Sequence, residues 1–438
     1  MSDELRPRST RSKKLSTIAR HGRLPRSNPF MTVAKVLAAS LAVLLVSGVS
    51  VAAIATYDVA ASVQESVQLA DETEGPAPKI DAIPGGVNLL VVGSDSRKGQ
   101  DPAFGSADDS ADLNDVTMLL HISEDHSNAS VISFPRDMYV SIPECPNPKG
   151  GTFDARNNQK INTTLGKGGL ACTVLTVEKL TGLDIPYAAE VQFSGVMAMS
   201  TAVGGVPVCV AEDIEDEYTG TYLEAGMHTL EGVDALQFLR TRHGIGDGSD
   251  LTRISNQQVF LSSLMRTVKS AETLTDPLKV YSLAKAVTAN MSLSTNLNDV
   301  STLASIAVAL KDIDLSKVVF VQVPTGNVDG GVEAIEPDFE NLFAAVAADD
   351  SLQLAGTTGG GATLDPNAPV AADPAPAAPA APAAPADPAD PDDPDAVADP
   401  AAPDEAVTDP STTVLSDSVT GQTAGDLTCS VGRTLDQQ

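Results

Sequence analysis

The sequence predicts one α/β domain, a single mixed-sheet domain with helices on both faces, preceded by one transmembrane helix. Three observations carry that prediction. Between residues 86 and 354, β-rich apolar runs alternate with stretches of helical periodicity. Residues 36–56, VLAASLAVLLVSGVSVAAIAT, hold no charge, and at about 1.5 Å per residue they are long enough to cross a hydrocarbon core of about 30 Å. Beyond 355 the composition turns abruptly to Gly, Ala, Pro, Asp and Thr. The 438 residues, 42% of them hydrophobic, suffice to bury a substantial core.

Taken in order, residues 1–35 form a basic tail: Arg6, Arg8, Arg11, Lys13, Lys14, Arg20, Arg23, Arg26 and Lys35 face only Asp3 and Glu4. The positive-inside rule puts this tail in the cytoplasm and everything after the apolar segment outside it. A cleaved signal peptide is the alternative, and the long basic and apolar stretches favour an uncleaved anchor. Residues 57–85 are polar, acidic and proline-containing, as expected of an extracellular stalk. The domain then spans 86–354. Strands are expected at 87–92, 116–122, 130–134, 187–193, 206–210 and 318–323. Helices are expected at 170–180, stopped by Gly182, at 195–203, and near 251–270, 299–311 and 338–347. Residues 355–438, typified by APAAPAAPADPADPDDPD, cannot bury enough apolar surface to offset their ordering entropy and read as a disordered acidic tail. Its last stretch, DLTCSVGRTLDQQ, regains apolar content around Cys429 and would fold back onto the domain.

Composition excludes several functions. A net charge of -30 and a pI near 4.3 argue against a nucleic-acid partner, which needs a basic face. Cys145, Cys172, Cys209 and Cys429 show no zinc spacing, and in an oxidising compartment they allow two disulfides. His121, His126, His228 and His243 lack triad or metal-ligand spacing. Neither a G-x-S-x-G elbow nor a GxxxxGK[ST] loop occurs.

Residues 226–258 gather Arg240, Arg242, Asp250, Arg253 and Gln257 into a short span of this acidic chain. Guanidinium forks match phosphate or carboxylate oxygens, so the cluster calls for an anion. Asp250 is the expected N-cap of a helix on which Asp250, Arg253 and Gln257 stand at i, i+3 and i+7, in line with Leu261, Leu264 and Val268. A buried Asp250–Arg253 ion pair capping a core helix is the competing reading. Arg240 and Arg242 would diverge by about 200° on one helix, so either the helix ends near Arg240 or only one of them faces a ligand. Asp95 and Arg97, in GSDSR, follow the first strand, where open α/β sheets place ligands. Asp115 opens the next strand after Asp108, Asp109 and Asp112; with Asp95 it could hold a hard divalent cation, or these acids are simply solvated. Arg136, in SFPRD, ends the third strand beside Asp137, its local alternative partner. Lys160 stands alone in QKINTT.

Together the ordered motifs GSDSR, DVTMLLHI, SFPRDMYVSIP, KINTTLGKGG, TVEKLTGL, GGVPVCV, HTLEGVDALQFLRTRHG and DLTRISNQQ resemble the LytR-CpsA-Psr family of bacterial cell-wall enzymes over residues 86–270. The resemblance implies that family's fold and a phosphotransferase moving a glycopolymer from a polyprenyl-pyrophosphate carrier onto a peptidoglycan hydroxyl, at the outer face of the cytoplasmic membrane. It implies Mg²⁺ (or Mn²⁺) on Asp95 and Asp115. It implies pyrophosphate binding by Arg97, Arg136, Lys160, Arg240, Arg242, Arg253 and Gln257, with Arg136, Arg240, Arg242 and Asp250 carrying the chemistry, Asp250 as base. The apolar domain interior would receive the prenyl chain. Asn256 departs from the family's pattern, which often has a basic residue before the Gln pair, and this puts one phosphate contact in question. Cys145 and Cys172 are spaced as in actinobacterial members and are expected to pair; Cys209 with Cys429 would pin the tail to the domain. A pyrophosphatase acting on the same lipid and a non-catalytic lipid-binding regulator stay open, as does the polymer's identity.

Overall fold

A computed structural model describes residues 29–62, 64–70, 72, 86–96, 112–368 and 411–438. The chain divides into two units, Met1–Asp58 and Val59–Gln438. Helix α1, Pro29–Ala61, supplies the described part of the first through its residues 29–58. Its stretch Val33–Ala61 is long and apolar enough to cross a membrane, and its described side chains from Val33 to Ile54 are exposed. The helix begins before the expected 36, so Lys35 lies inside it; the basic residues 6–26 fall outside the described residues.

In the second unit, β-branched runs build a seven-stranded mixed sheet. Its strands are β1 (Val87–Ser94), β2 (Asn114–Ile122), β3 (Ala129–Phe134) and β4 (Tyr187–Val191). After β5 (Val206–Val210) and β6 (Gly226–Leu230), which belong to a second sheet, come β7 (Met291–Leu293) and β8 (Val318–Gln322). Late in the chain follow β9 (Ala362–Leu364), β10 (Thr420–Thr423) and β11 (Thr428–Ser430). The central order is β7-β4-β1-β2-β3-β8-β10, and the second sheet runs β6-β5-β11-β9. Pairs β1/β4 and β3/β8 are parallel and the other central pairs antiparallel.

The period of two along each strand sorts side chains onto two faces. Leu90, Val92, Ile132, Phe134, Val319 and Val321 pack against helices α2 (Leu165–Thr181) and, later in the chain, Asp338–Ala347. Val87, Met118, Val131, Val318 and Phe320 face α3 (Phe193–Ala202) and residues of Val300–Asp312. Helices therefore cover both faces. Two more helices, α4 (Val233–Arg240) and α5 (Asp250–Lys269), pack Phe238, Val259 and Phe260 onto the second sheet in a separate core. Leu261 of α5 touches both cores, making this helix the shared wall between the sheets.

Three boundaries move. The expected strand at 187–193 stops at Val191, because Phe193 already opens α3. Part of the expected stalk lies on the domain: Val67 pairs with Ser294, its N–H donating to Leu293 O at 2.8 Å, and Leu69 is buried. The domain also continues past 354. Residues 351–364 and 411–438 supply β9, β10 and β11, so the assignment of 355–438 as tail is corrected; residues 369–410 lie outside the described residues. The glycines that made this region look unstructured are there for close approach. A Cβ on Gly361 would collide with the Thr252 carbonyl oxygen of α5, and one on Gly432 with that of Glu212. Two disulfides close the fold: Cys145–Cys172 with Cα atoms 5.1 Å apart, and Cys209–Cys429, 4.4 Å apart, bridging 220 residues of sequence.

Candidate functional site

The first wall of the site is the end of the central sheet. Gly93 pairs with Val116 but Ser94 pairs with Asn114, so Asp115 is the extra residue of a β-bulge. A bulge re-aims a side chain, and here it turns Asp115 into a cavity at the strand end. Asp95 stands just beyond it; its Oδ1 accepts from Leu113 N at 3.0 Å. Arg136 leaves β3 after Pro135 and reaches across: Nη1 lies 2.5 Å from Asp115 Oδ1, and Nε lies 3.6 Å from both Asp137 Oδ2 and Asp250 Oδ1. Burial pushes the Arg136 pKa down, but the fields of Asp115, Asp250 and Asp137 outweigh it and the guanidinium ends above its ordinary value. Burial likewise raises Asp137, yet the Lys160 ammonium, 2.7 Å from its Oδ1, and the nearby Arg136 and Arg242 hold that carboxyl below its usual range.

The second wall comes from α4, the turn after it and α5. Ser249, not Asp250, caps α5: its hydroxyl accepts from Thr252 N, which frees the Asp250 carboxylate at the first helical position. Asp250 Oδ1 lies 2.6 Å from Arg253 Nη2, and its Oδ2 accepts from Arg136 N at 3.2 Å. Arg253, 4% exposed, also donates to the Asp115 carbonyl at 2.7 Å. The ion pair and the cluster, posed as alternatives by the sequence, are the same object. Burial lowers the Arg253 pKa against the pull of Asp250 and Asp115, but a guanidinium starts far enough above neutrality to stay charged.

Helix α4 ends at Arg240, and Thr241 is extended, so the two arginines part as their spacing requires. The Arg240 guanidinium lies over the Phe193 ring, 4.5 Å from its centroid. Arg242 sits in a turn held by Asp216, a fully buried carboxylate that sequence reading missed. Asp216 accepts from Thr241 Oγ1 at 2.6 Å, Arg242 N at 3.0 Å and His243 N at 3.2 Å, and from Tyr218 N and Thr219 N. Burial raises its pKa, but these donors bring it below the ordinary carboxylate value. Asn256 and Gln257 face the end of α4 and donate to the carbonyls of Phe238 and Leu239 at 2.9 and 3.1 Å. Asn256, where the departure from the family's pattern put one phosphate contact in question, is wholly buried and spends its amide on bonds inside the chain.

Between the walls lies an apolar cavity of about 160 Å³. Val196, Met199, Phe260 and Leu264 line its depth; Asp115, Arg240, Arg253 and Gln257 line its polar part. Arg136 Nε and Arg253 Nε are buried and find no hydrogen-bond acceptor among the described residues. Buried guanidinium donors without an acceptor, beside an apolar cavity, suit an anion carrying an apolar chain. A wider groove of about 830 Å³ runs past Lys317, Gln353 and Gln422, but it has no arginine in its lining. Asp95 and Asp115 offer only hard carboxylate oxygens at one strand end, a donor set that fits Mg²⁺ sharing its ligands with phosphate oxygens. Of the residues singled out from sequence, Asp115, Arg136, Asp250 and Arg253 form one connected cluster. Arg240 and Gln257 share its cavity, Lys160 reaches it through Asp137, and Arg97, Asp108 and Asp109 lie outside the described residues.

A model of the LytR_cpsA_psr family matches residues 50–346. The cell wall biosynthesis protein LcpA of Corynebacterium glutamicum is 32% identical over 273 residues, covering 57% of this chain and 52% of that protein. The polyisoprenyl-teichoic acid–peptidoglycan teichoic acid transferase TagT of Bacillus subtilis is 27% identical over 290 residues, 64% of this chain and 83% of that one. The chain thus spans about half the length of LcpA. Among solved structures, the LytR-Csp2A-Psr enzyme from Actinomyces oris is 21% identical, covers 65% of this chain and 96% of its own, and superposes with a TM-score of 0.49.

Proposed function

The chain belongs to the LytR_cpsA_psr family, and from that premise we propose that it transfers a glycopolymer from a polyprenyl-pyrophosphate carrier to a sugar hydroxyl of peptidoglycan, leaving a phosphodiester link. The observation that carries the proposal is the Arg253 guanidinium at the apolar cavity, its Nε buried without an acceptor among the described residues, with Arg136 Nε in the same state in the ion-pair cluster joined to it through Asp250. The name of the B. subtilis relative, a teichoic acid transferase acting on peptidoglycan, supports the same reading. In the reaction the acceptor hydroxyl oxygen bonds to the sugar-side phosphorus, the bond from that phosphorus to the bridging oxygen breaks, and polyprenyl phosphate leaves with the electron pair. Arg136, Arg253 and Arg240 neutralise the phosphate oxygens and hold them in line, which is most of what phosphoryl transfer asks of a protein. The hydroxyl proton passes to Asp250, whose carboxylate lies between the Arg136 and Arg253 guanidinium groups; a loose transition state needs that transfer only late. Arg242 and Lys160 act at longer range, through the field they share with Asp137. When bound by Asp95 and Asp115, Mg²⁺ would add charge neutralisation at the phosphates. Helix α1 anchors the chain in the cytoplasmic membrane with the domain outside.

A labelled lipid-linked polymer, incubated with the full chain and Mg²⁺ with and without peptidoglycan, tests the proposal. Label should appear on peptidoglycan together with an equal amount of polyprenyl phosphate. Release of free polymer at the same rate without peptidoglycan would replace the transferase with a pyrophosphatase, and unchanged lipid would leave a binding protein.

A further inference from the structure

The last carbonyls of any helix lack partners within it. At the end of α4 two of them are taken by side chains of α5: Asn256 Nδ2 serves Phe238 O and Gln257 Nε2 serves Leu239 O. The next residue is Arg240, so the direction in which its guanidinium leaves the helix depends on these two amides. Asn256 is itself held at its other end. Its Oδ1 accepts a hydrogen bond from the Ser430 hydroxyl, and both residues are completely buried.

Ser430 belongs to β11, more than 170 residues further along the chain. There Cys429 is bonded to Cys209, and the Ser430 carbonyl accepts from Ala211 N at 2.8 Å. The residues that follow brace the other arginine. Gly246 N donates to Val431 O at 3.0 Å and Arg433 N to Gly244 O at 2.8 Å, gripping the turn that begins at Arg242. The short stretch 428–433, β11 and the residues after it, thus touches both arginine-bearing segments and does not line the cavity.

From this we infer that residues 428–433 are a positioning element of the phosphate site, Ser430 acting through Asn256 on Arg240. The inference rests on the reading of the site as pyrophosphate-binding. It also accounts for Asn256: where the resemblance leads one to expect a basic residue, this chain has an amide with a donor for α4 and an acceptor for β11. A longer cation there could not close the Ser430–Asn256–Phe238 relay, because it has no acceptor.

The test is a double-mutant cycle read as affinity for farnesyl pyrophosphate, measured by calorimetry on the full chain in detergent. Ser430→Ala should weaken binding by about five- to tenfold, the size expected for loosening one buried polar tie. In an Arg240→Ala background the same substitution should change affinity little, since its effect passes through Arg240. An equal loss in both backgrounds would reduce Ser430 to general support of the fold, and unchanged affinity in the single variant would remove the relay altogether; either overturns the inference. Should Ser430→Ala fail to fold, Asn256→Ala carried through the same cycle gives the same decision. A wild-type chain that does not bind farnesyl pyrophosphate would instead overturn the pyrophosphate reading itself, and the relay with it.

Discussion

The two walls of the site are built by different physics. The central-sheet wall, with Asp95, Asp115 and Arg136, is placed by hydrophobic alternation: β1, β2 and β3 bury both faces, and their ends fall where the sheet puts them. The wall with Arg240, Arg242 and Gln257 is placed by polar ties between distant segments, namely Asp216 to the 241–243 turn, Asn256 and Gln257 to α4, and Ser430 to Asn256. A wall held by apolar packing tolerates the loss of one polar group. A wall held by a handful of buried hydrogen bonds does not, because each lost partner leaves its mate desolvated and unpaired. Arg253 joins the two, bonding Asp250 of one and the Asp115 backbone of the other.

That difference can be broken most sharply at the joint. Arg253→Ala should lower transfer by about 10²- to 10³-fold, as removal of one transition-state donor does, and Arg253→Lys should rescue little, since an ammonium cannot reproduce the guanidinium fork. Steady-state transfer rates at saturating lipid measure both.

The polar wall is probed next by Asp216→Asn. The Asp216 pKa is lowered in the folded chain from 3.8. Its contribution to stability is therefore complete above the unfolded value and lost as pH falls through the folded one. At pH 7 the variant should be less stable by about 1–3 kcal/mol, and the gap should close in acid below the folded pKa, as urea unfolding across pH would record. If Asp95 and Asp115 hold Mg²⁺ as proposed, the response of transfer to added Mg²⁺ should be the same in the variant as in the wild type. Smallest of all, Lys160→Ala removes a cation that is 33% exposed in its side chain and pairs with an Asp137 that is 29% exposed. A pair of that kind contributes about 0–1 kcal/mol, so transfer should fall by less than about fivefold.

The same contrast explains what could be read from the sequence. The strands of the central sheet, α5 and the inward stripe Asp250, Arg253, Gln257 follow from periods of 2 and 3.6, which are local. The bulge that aims Asp115 has no such mark, since it exists only in the pairing of β1 with β2. Asp216 was overlooked for a similar reason: IEDEYTG looks like one acidic turn among many, and its partners at 241–243 lie some 25 residues away. The C-terminal strand was hidden by composition. Fourteen residues of Gly- and Thr-rich chain and a long Ala/Pro/Asp run argue for a tail, whereas Gly361 and Gly432 are small because backbone passes against them. Cys429 was the one visible clue that the end of the chain returns to the domain.

The central claim is that both walls hold a single pyrophosphate whose lipid enters the cavity between them. A crystal structure of the domain with farnesyl pyrophosphate tests it most directly. Phosphate oxygens should lie within hydrogen-bond reach of Arg136 Nε, Arg253 Nε and the Arg240 guanidinium, with the prenyl chain running past Phe193 toward Leu264. Phosphates bound away from these arginines, or a prenyl chain lodged in the groove beside Lys317 and Gln353, would contradict it.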